Sequence, residues 1–325
     1  MSAVRNEGAV WQRAPVRSAA VILPLAAVAA LLAAKWSLIG SGAGRLGSAD
    51  GEWLGAACVA AGLTWVCSAV TQQGAVVERL PPGKLLASQF AASTANHVLP
   101  AGVGGNAVSL RFLVRRGLSP SRALAALAVR AAAAVTGRLV LLLVALVTFP
   151  GALHIRRVVS RRPALPGHPV LLSVGAVAAA AGLFLLLRHA RRLGARLRGF
   201  VASVVLDVRE VHRNRARIAA LWGGALAFPL MHGLVVVAVV RAVHAPVPAS
   251  GAMVAYLCAS TATGWLPTPG GLGSLDAALA LALVTAGAGG VTATSTVLGY
   301  RLLTTWLPLL PGGLVLTLLL RRGDL

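Results

Sequence analysis

The chain has 325 residues, of which 57% are hydrophobic and 12% charged, and its mean hydropathy is +0.80. A soluble domain carries about 25% charged residues, so this composition excludes a soluble globular protein and predicts an all-α polytopic membrane protein. The net charge of +22 comes almost entirely from arginine, and the basic segments lack interleaved aromatic residues. We therefore expect this charge to meet anionic lipid headgroups and not to bind nucleic acid.

Several apolar runs have the length that a membrane-spanning helix needs, which is about 20 residues. Six full spans are predicted, at 18–34, 53–74, 122–149, 169–187, 218–241 and 292–320. The first is interpreted as an uncleaved helix and not as a signal peptide, because the run is long and further spans follow. The basic segment 188–217 has apolar residues every three or four positions, which predicts an amphipathic helix on the inner leaflet. The whole chain, 1–325, is predicted to be a single integral membrane domain.

Two further apolar regions, 85–117 and 250–288, are each broken near the middle. The breaks are LPAGVGG at 99–105 and LPTPGGLG at 266–273. As helix, residues 85–99 reach about 22 Å and residues 106–117 about 18 Å, against a hydrocarbon core of roughly 30 Å. Neither arm of the first region is long enough to cross alone. Both regions are therefore predicted to be re-entrant helical hairpins whose tips lie inside the membrane.

The distribution of basic residues predicts the orientation. Six spans and two hairpins put both termini on one side, which collects the Lys and Arg residues of 1–17, 75–122, 188–217 and 321–322. The other side holds a smaller set: Lys35, Arg45, Arg156, Arg157, Arg161, Arg162 and Arg241. The positive-inside bias then places both termini in the cytoplasm of a cell membrane. The first hairpin enters from the cytoplasm and the second from outside.

The two hairpins share a motif that indicates an inverted-topology repeat. Leu99-Pro100-x-Gly102-x-Gly104-Gly105 corresponds to Leu266-Pro267-x-x-Gly270-Gly271-x-Gly273. A glycine follows each motif, at Gly117 and Gly287, and an arginine then lies in the next span, at Arg130 and Arg301. In transporters with such repeats, broken segments at corresponding positions indicate the binding site, and a helix start offers free N–H groups to an anion.

Charged residues inside the predicted membrane segments are candidates for function, because burying them is costly. Asp276 is the one acid predicted to lie deep, and three interpretations of it stay open: a helix cap, an ion-pair partner of Arg301, or a transport residue. Arg130 and Arg138 lie about 80° apart on a straight helix, near enough to line one cavity. For Arg130 the alternative is that it extends to the cytoplasmic face.

Other polar residues near the breaks have less specific interpretations. Asn96 and Asn106 flank the first break and suit helix caps or hydrogen bonds to a headgroup. His97 and His232 are either proton carriers or buried core residues. The three cysteines lack metal-ligand spacing, and no cofactor or metal is expected.

These residues resemble a known family, the integral membrane domain found at the N-terminus of lysylphosphatidylglycerol synthetases, which also occurs alone in flippase-like proteins. The resemblance rests on NHVLPAGVGGNAVSLRFLVRRG with Arg130 downstream, and on LPTPGGLGSLD with Tyr300-Arg301 downstream. It implies two re-entrant hairpins in an inverted repeat. It also implies movement of a modified phospholipid or a lipid-linked sugar between leaflets.

The resemblance carries ten residues over to this chain: Pro100, Gly104, Gly105, Arg130, Pro267, Pro269, Gly270, Gly271, Gly273 and Arg301. The chain departs from the family pattern at three places. Asn106 stands where an acid is frequent, Ser109 stands where an arginine often follows, and Asp276 replaces the usual glutamate. The predicted substrate-binding set is completed by Asn96, Asn106, Arg111, Arg138 and Asp276.

The leading hypothesis is a flippase that moves an anionic, aminoacylated or glycosylated lipid and is not an enzyme. The sequence holds no nucleotide-binding motif, so ATP drive would need a partner, and an enzyme that makes the lipid is a second expected partner. The alternatives are a membrane scaffold or regulatory subunit, a lipid-modifying transferase, and a transporter of a soluble substrate. The transferase has few acid–base candidates, since only one carboxylate is deep, whereas proton dependence through His97 or Asp276 would favour the soluble substrate.

Overall fold

The structure, a computed structural model, describes residues 49–98, 103–152, 213–264 and 273–325. Within these ranges the chain forms eight helices joined by turns and has no strand. They are α1 Gly51–Gly74, α2 Pro82–Val98, α3 Val103–Arg115, α4 Pro120–Thr148, α5 Arg215–Ala242, α6 Ala249–Thr263, α7 Ser274–Thr285 and α8 Gly290–Arg321. A π-helical turn at Leu302–Trp306 lies inside α8.

Four of these helices, α1, α4, α5 and α8, are long and apolar enough to cross a membrane. They correspond to the predicted spans 53–74, 122–149, 218–241 and 292–320, so the prediction of four membrane-capable helices in these regions is confirmed. Helix α5 begins at Arg215, three residues earlier than predicted, because the Asn214 side chain caps it by accepting the Ala216 N–H. The predicted spans 18–34 and 169–187, and most of the segment 188–217, lie outside the described residues.

Helices α1 and α5 form an antiparallel pair that extends through the protein. At one end the Asp50 N–H donates to the Ala242 carbonyl at 3.1 Å. At the other end Gly74 lies so close to α5 that a Cβ atom there would overlap the Leu221 backbone nitrogen. A glycine at this position therefore permits a backbone approach that any side chain would prevent.

The end of the bundle near Gly74 carries most of the described basic residues, and we call it the basic end. Its Lys and Arg residues are Arg79, Lys84, Arg115, Arg116, Arg122, Arg213, Arg215, Arg217, Arg321 and Arg322, whereas Arg241 lies at the opposite end. Ion pairs join the loops here: Arg122 contacts Glu78 at 2.9 Å, and Asp324 contacts Lys84 at 3.0 Å and Arg116 at 2.7 Å. The hydrogen bond from Lys84 lowers the pKa of the Asp324 carboxyl below its ordinary value.

Helices α2 and α3 pack against each other, and we call them the first helix pair. Lys84 at the start of α2 and Arg116 just after α3 contact the same Asp324 oxygen, so both outer ends of the pair lie at the basic end. Helix α3 begins at Val103, which puts Gly104 and Gly105 in its first turn and not in the break as predicted. Gly105 allows α2 and α3 to pack closely, because a Cβ atom there would lie 3.0 Å from the Ala92 carbonyl oxygen of α2, closer than an ordinary contact.

Helices α6 and α7 form the second helix pair, whose outer ends lie at the opposite end of the bundle. A Cβ atom on Gly251, at the start of α6, would lie 3.4 Å from Ala286 after α7 and 3.5 Å from Ala152 after α4. Gly273 immediately precedes α7 with a φ of 84°, a conformation that favours glycine. The two pairs therefore occupy the broken regions 85–117 and 250–288. The outer ends of the first pair lie at one end of α1 and α5, and the outer ends of the second pair lie at the other.

The glycines downstream of the two motifs take the same conformation. Gly117 has a φ of 94° and Gly287 a φ of 111°, and each follows the last turn of the second helix of its pair. The next residue closes the same type of helix cap, with the Leu118 N–H bonded to the Leu113 carbonyl and the Ala288 N–H to the Leu283 carbonyl. The correspondence noted in sequence thus extends to local geometry.

The close packing of α1 on α5 generates a stability prediction. Gly74→Ala is expected to lower the free energy of unfolding by about 1–3 kcal/mol, because the added methyl group overpacks against the Leu221 backbone. Thermal unfolding of the detergent-solubilised protein, followed by circular dichroism, measures the change. The matched control is Gly62→Ala in the same helix, where an added Cβ meets nothing within 4 Å. Equal unfolding temperatures for the two variants would contradict the close approach of α1 and α5.

Candidate functional site

A cavity of ≈ 430 Å³ is lined by residues from all eight described helices, and we call it the polar cavity. Its lining is Thr64, Trp65, Ser68, Gln89, Ala92, Ser93, Asn96, His97, Gly105, Asn106, Ser109, Arg130, Arg138, Phe228, His232, Tyr256, Leu275, Tyr300, Arg301, Thr304 and Thr305. The end of α2, the start of α3 and the start of α7 all reach it. The interrupted ends of both helix pairs therefore face the same space.

Arg130 of α4 turns into the protein and contacts α1. Its Nη1 donates to the Gln72 side-chain oxygen at 3.0 Å, and its Nη2 donates to the Ser68 hydroxyl at 2.8 Å. The Ser68 hydroxyl in turn donates to Gln89 of α2 at 2.9 Å. The guanidinium is thus held inside the bundle by uncharged partners, and its extension to the cytoplasmic face stays a prediction.

Arg138 lies two turns further along α4 and lines the same cavity, as the eight-residue spacing predicts. Its Nη1 donates to the Ser260 carbonyl of α6 at 3.1 Å, whereas its Nε is buried without a hydrogen-bond partner among the described residues. Within the described ranges, neither Arg130 nor Arg138 forms an ion pair with a carboxylate. Their positive charges are therefore compensated only by neutral groups of this part of the chain.

Arg301 has a carboxylate partner, and the geometry combines two of the interpretations of Asp276. One Asp276 oxygen, Oδ1, accepts the Arg301 Nε–H at 2.5 Å, and the other, Oδ2, accepts the Gly273 N–H at 2.9 Å. The carboxylate is consequently both the cap of α7 and the counter-ion of Arg301. A transport role for Asp276 stays a prediction. The pair is largely shielded, with the Arg301 side chain 6% exposed and that of Asp276 29% exposed.

The π-helical turn of α8 follows Arg301 directly and has a cause in the sequence. Pro308 has no N–H to donate to the Thr304 carbonyl, and the Leu307 N–H instead reaches the Leu302 carbonyl five residues back. Arg301, Thr304 and Thr305, in and beside this widened turn, all line the polar cavity.

A chain of hydrogen bonds connects α8 with the first helix pair. The Arg301 Nη1 donates to the Thr305 hydroxyl at 3.4 Å, and this hydroxyl lies 3.4 Å from the His97 Nε2 of α2. The His97 Nδ1 lies 2.7 Å from the Ser93 carbonyl, which only accepts, so Nδ1 carries the proton and Nε2 is free to accept from Thr305. The two helix pairs are therefore linked through α8 by polar contacts.

Aromatic rings form another part of the cavity wall. The His232 Nδ1 lies 3.0 Å from the Tyr300 hydroxyl, and the His232 ring stacks on Tyr256 with centroids 5.8 Å apart. Phe228 contacts the same imidazole edge-on at 4.8 Å. His232 is thus held in a packed aromatic cluster, and its role as a proton carrier stays a prediction.

The structure brings many of the sequence-predicted site residues together, but not all. Those that line the cavity are Asn96, Gly105, Asn106, Arg130, Arg138 and Arg301, while Gly273 and Asp276 adjoin it through Arg301. Gly104, which is buried in the first turn of α3, and Arg111, which is half-buried further along α3, are not part of the lining. Pro100, Pro267, Pro269, Gly270 and Gly271 lie outside the described residues.

Sequence reasoning missed several polar residues of the cavity. Helix α2 carries four lining residues at steps of four, three and one: Gln89, Ser93, Asn96 and His97. This spacing puts them on one face of the helix. That polar stripe on an apolar helix was a signal that could have found Gln89 and Ser93. Trp65 and Tyr256 carry no such signal, because an aromatic residue in an apolar helix is indistinguishable from a core or lipid-facing residue.

The fold and the cavity define an α-helical, multi-pass membrane protein whose buried polar space carries arginines. Residues 14–312 match the family described as Lysylphosphatidylglycerol synthase TM region, and the chain belongs to this family. The resemblance seen in the sequence is thereby confirmed, and the protein belongs with the membrane domains of lipid metabolism and transport. Among curated proteins, none matches the chain. The described residues include no group of three His, Cys, Asp or Glu side chains that could hold a metal ion.

The double role of Asp276 generates a second stability prediction. Asp276→Asn keeps an oxygen that can cap α7 but removes the negative charge beside Arg301. We expect a loss of stability between the ~0–1 kcal/mol typical of exposed ion pairs and the ~3–5 kcal/mol of buried ones. Chemical or thermal unfolding in detergent measures it, with Glu78→Gln at the exposed Arg122 pair as the control. If Asp276→Asn unfolds at the same temperature as the unchanged protein, Asp276 acts as a cap alone.

Proposed function

We propose that the protein is a lipid flippase, which moves an anionic, aminoacylated or glycosylated lipid between the leaflets of the cytoplasmic membrane. The observation that carries the proposal is the polar cavity, where Arg130 and Arg138 have no carboxylate partner among the described residues. Its volume of ≈ 430 Å³ lies in the range of small-ligand sites, about 300–1,000 Å³. A headgroup has suitable dimensions for this space, while the acyl chains stay in the lipid.

The electrostatics favour a phosphate as the group that enters first. A guanidinium in an apolar surrounding is costly, and an anion that forms charge-assisted hydrogen bonds with it offsets that cost. Arginine binds phosphate in a bidentate manner, and the buried Nε of Arg138 is a donor that the described protein groups leave unused. Membership of a lipid-related membrane family supports lipid as the source of this phosphate.

In this proposal the two helix pairs are re-entrant hairpins of an inverted repeat. Three observations support it: the pairs open toward opposite ends of the bundle, their inner ends both reach the cavity, and their last turns share one cap geometry. Backbone that leaves helical geometry at membrane depth has to line a cavity or be buried in protein. Rocking of the two halves against each other would expose the cavity to one leaflet and then to the other.

The proposal puts the basic end on the cytoplasmic side, which the positive-inside bias favours, and keeps the prediction that both termini are cytoplasmic. The proposal assigns no enzymatic activity to the chain, and paired acids for acid–base catalysis do not line the cavity within the described residues. An enzyme that makes the lipid is the expected partner. The competing function is a membrane scaffold or regulatory subunit, for which arginines in the cavity would have no role in binding.

Cysteine labelling tests the re-entrant topology. In a variant without Cys58, Cys67 and Cys258, single cysteines are introduced as Gly83→Cys and Ser119→Cys, beside the first pair, and as Pro246→Cys and Gly289→Cys, beside the second. All four positions are exposed in the structure. A membrane-impermeant maleimide is expected to label the first two only in inside-out vesicles and the last two only in right-side-out vesicles. Labelling of 83 and 119 from opposite sides would show that the first pair crosses the membrane.

Binding is tested by native mass spectrometry of the gently purified protein, with co-purified lipids compared to those of the bulk membrane. We expect one anionic or glycosylated lipid to be enriched, and the enrichment to fall severalfold in Arg138→Ala and Arg130→Ala. The matched control is Arg241→Ala, in the last turn of α5 and away from the basic end, and it should leave the lipid enrichment unchanged. Transbilayer movement of the enriched lipid in proteoliposomes then tests transport itself. A bulk-like lipid composition that no arginine variant alters would favour the scaffold.

A further inference from the structure

The polar cavity has an unbalanced charge. Arg130, Arg138 and Arg301 line it, whereas no acidic side chain does so among the described residues. Asp276 adjoins the lining, but one of its oxygens accepts from Arg301 and the other from the Gly273 N–H. The two connecting segments 99–102 and 265–272 contain no acid in their sequence either. A positive group on a ligand would therefore meet arginines and find no carboxylate in these parts of the chain.

The uncharged part of the cavity wall offers a different kind of contact. Gln89 Nε2 and the Ser109 hydroxyl are buried and have no hydrogen-bond partner among the described residues, and both belong to the lining. The amides of Asn96 and Asn106 line the same region, at the facing ends of α2 and α3. Amide and hydroxyl groups donate and accept, so their natural partners are ligand hydroxyls, which do the same. Buried polar groups are costly until such partners are supplied.

We infer that the cavity selects a phosphate attached to an uncharged, hydroxyl-rich headgroup, a polyol or a sugar, and discriminates against headgroups that carry an ammonium. The phosphate contacts the arginines of α4, and the hydroxyls contact the amide and hydroxyl groups of α2 and α3. This inference rests on the proposed function and narrows it, because it removes aminoacylated lipids from the three classes of cargo. Discrimination comes from like-charge contact, which costs more than a missing hydrogen bond.

The test uses lipids that differ only in the headgroup. Dihexanoyl-phosphatidylglycerol, its lysyl ester, dihexanoyl-phosphatidylethanolamine and dihexanoyl-phosphatidic acid are titrated against the full chain in detergent, and affinities are obtained from ligand-induced thermal stabilisation. We expect phosphatidylglycerol to bind at least about tenfold more tightly than the lysyl ester and phosphatidylethanolamine. Arg138→Gln should abolish this preference. Ser109→Ala should lower the affinity for phosphatidylglycerol severalfold and leave the affinity for phosphatidic acid unchanged, because phosphatidic acid has no polyol.

A variant that is expected to gain affinity for the lysyl ester tests the role of charge most directly. Asn106 lines the cavity and is exposed, so Asn106→Asp adds a carboxylate there with little change in shape. We expect the lysyl ester to gain about tenfold relative to phosphatidylglycerol in this variant. The matched control is Asn214→Asp, an equally small change at the N-cap of α5, where an acid is tolerated and no effect on lipid preference is expected.

The outcomes separate this inference from the proposed function. If the lysyl ester binds as tightly as phosphatidylglycerol and both depend on Arg138, the headgroup inference is overturned and the flippase proposal stands. If no lipid stabilises the protein, or if the stabilisation is the same in Arg138→Gln, both the headgroup inference and the flippase proposal are overturned. Glycerophosphoglycerol, the headgroup without acyl chains, identifies the source of the phosphate. If it binds as tightly as the lipid, the selectivity stands and the lipid cargo is overturned.

Discussion

The ion pair between Asp276 and Arg301 is the contact on which the arrangement of the polar cavity depends. It fixes the start of α7 against the middle of α8, and through the Thr305 hydroxyl it continues to His97 on α2. The second oxygen of the same carboxylate holds the Gly273 turn. Because a largely buried guanidinium without a counter-ion costs several kcal/mol, on the order of 3–5, the positions of these elements are strongly coupled. One acid thus positions an interrupted helix and a charge together.

The three arginines of the cavity differ in what compensates their charge. Arg301 is neutralised by its own carboxylate and belongs to the frame of the protein. Arg130 and Arg138 contact a side-chain amide, a hydroxyl and a backbone carbonyl, which are neutral acceptors. Neutral acceptors orient a guanidinium but leave its charge, so these are the two residues to which the proposed function assigns anion binding. The structural positive charge therefore lies on α8, and the two charges without a carboxylate partner among the described residues lie on α4.

The interruptions of the two helix pairs make the cavity possible. A continuous helix satisfies its backbone internally, whereas an interrupted helix leaves free backbone groups at the break. Here α2 ends and α3 begins beside the arginines, and α7 begins beside Arg301, so polar groups of short helices converge inside an otherwise apolar bundle. The membrane-capable helices around them keep large apolar side chains such as Val59, Leu143 and Leu314 exposed, as a lipid-facing surface requires. Such a fold suits a family of membrane domains connected with lipids.

The sequence by itself determined the class of protein, four membrane-capable helices, the two interrupted regions and the three arginines that line the cavity, Arg130, Arg138 and Arg301. These features follow from the length of apolar runs, from proline and glycine, and from the scarcity of charge, all of which are local properties. Only the tertiary structure decided that Asp276 caps α7 and pairs with Arg301 at once, that Gly104 and Arg111 stay out of the cavity lining, and that Tyr256 and Ser109 join it. The physical reason is that the direction of a side chain and its partners on other helices depend on long-range packing, which no local pattern encodes.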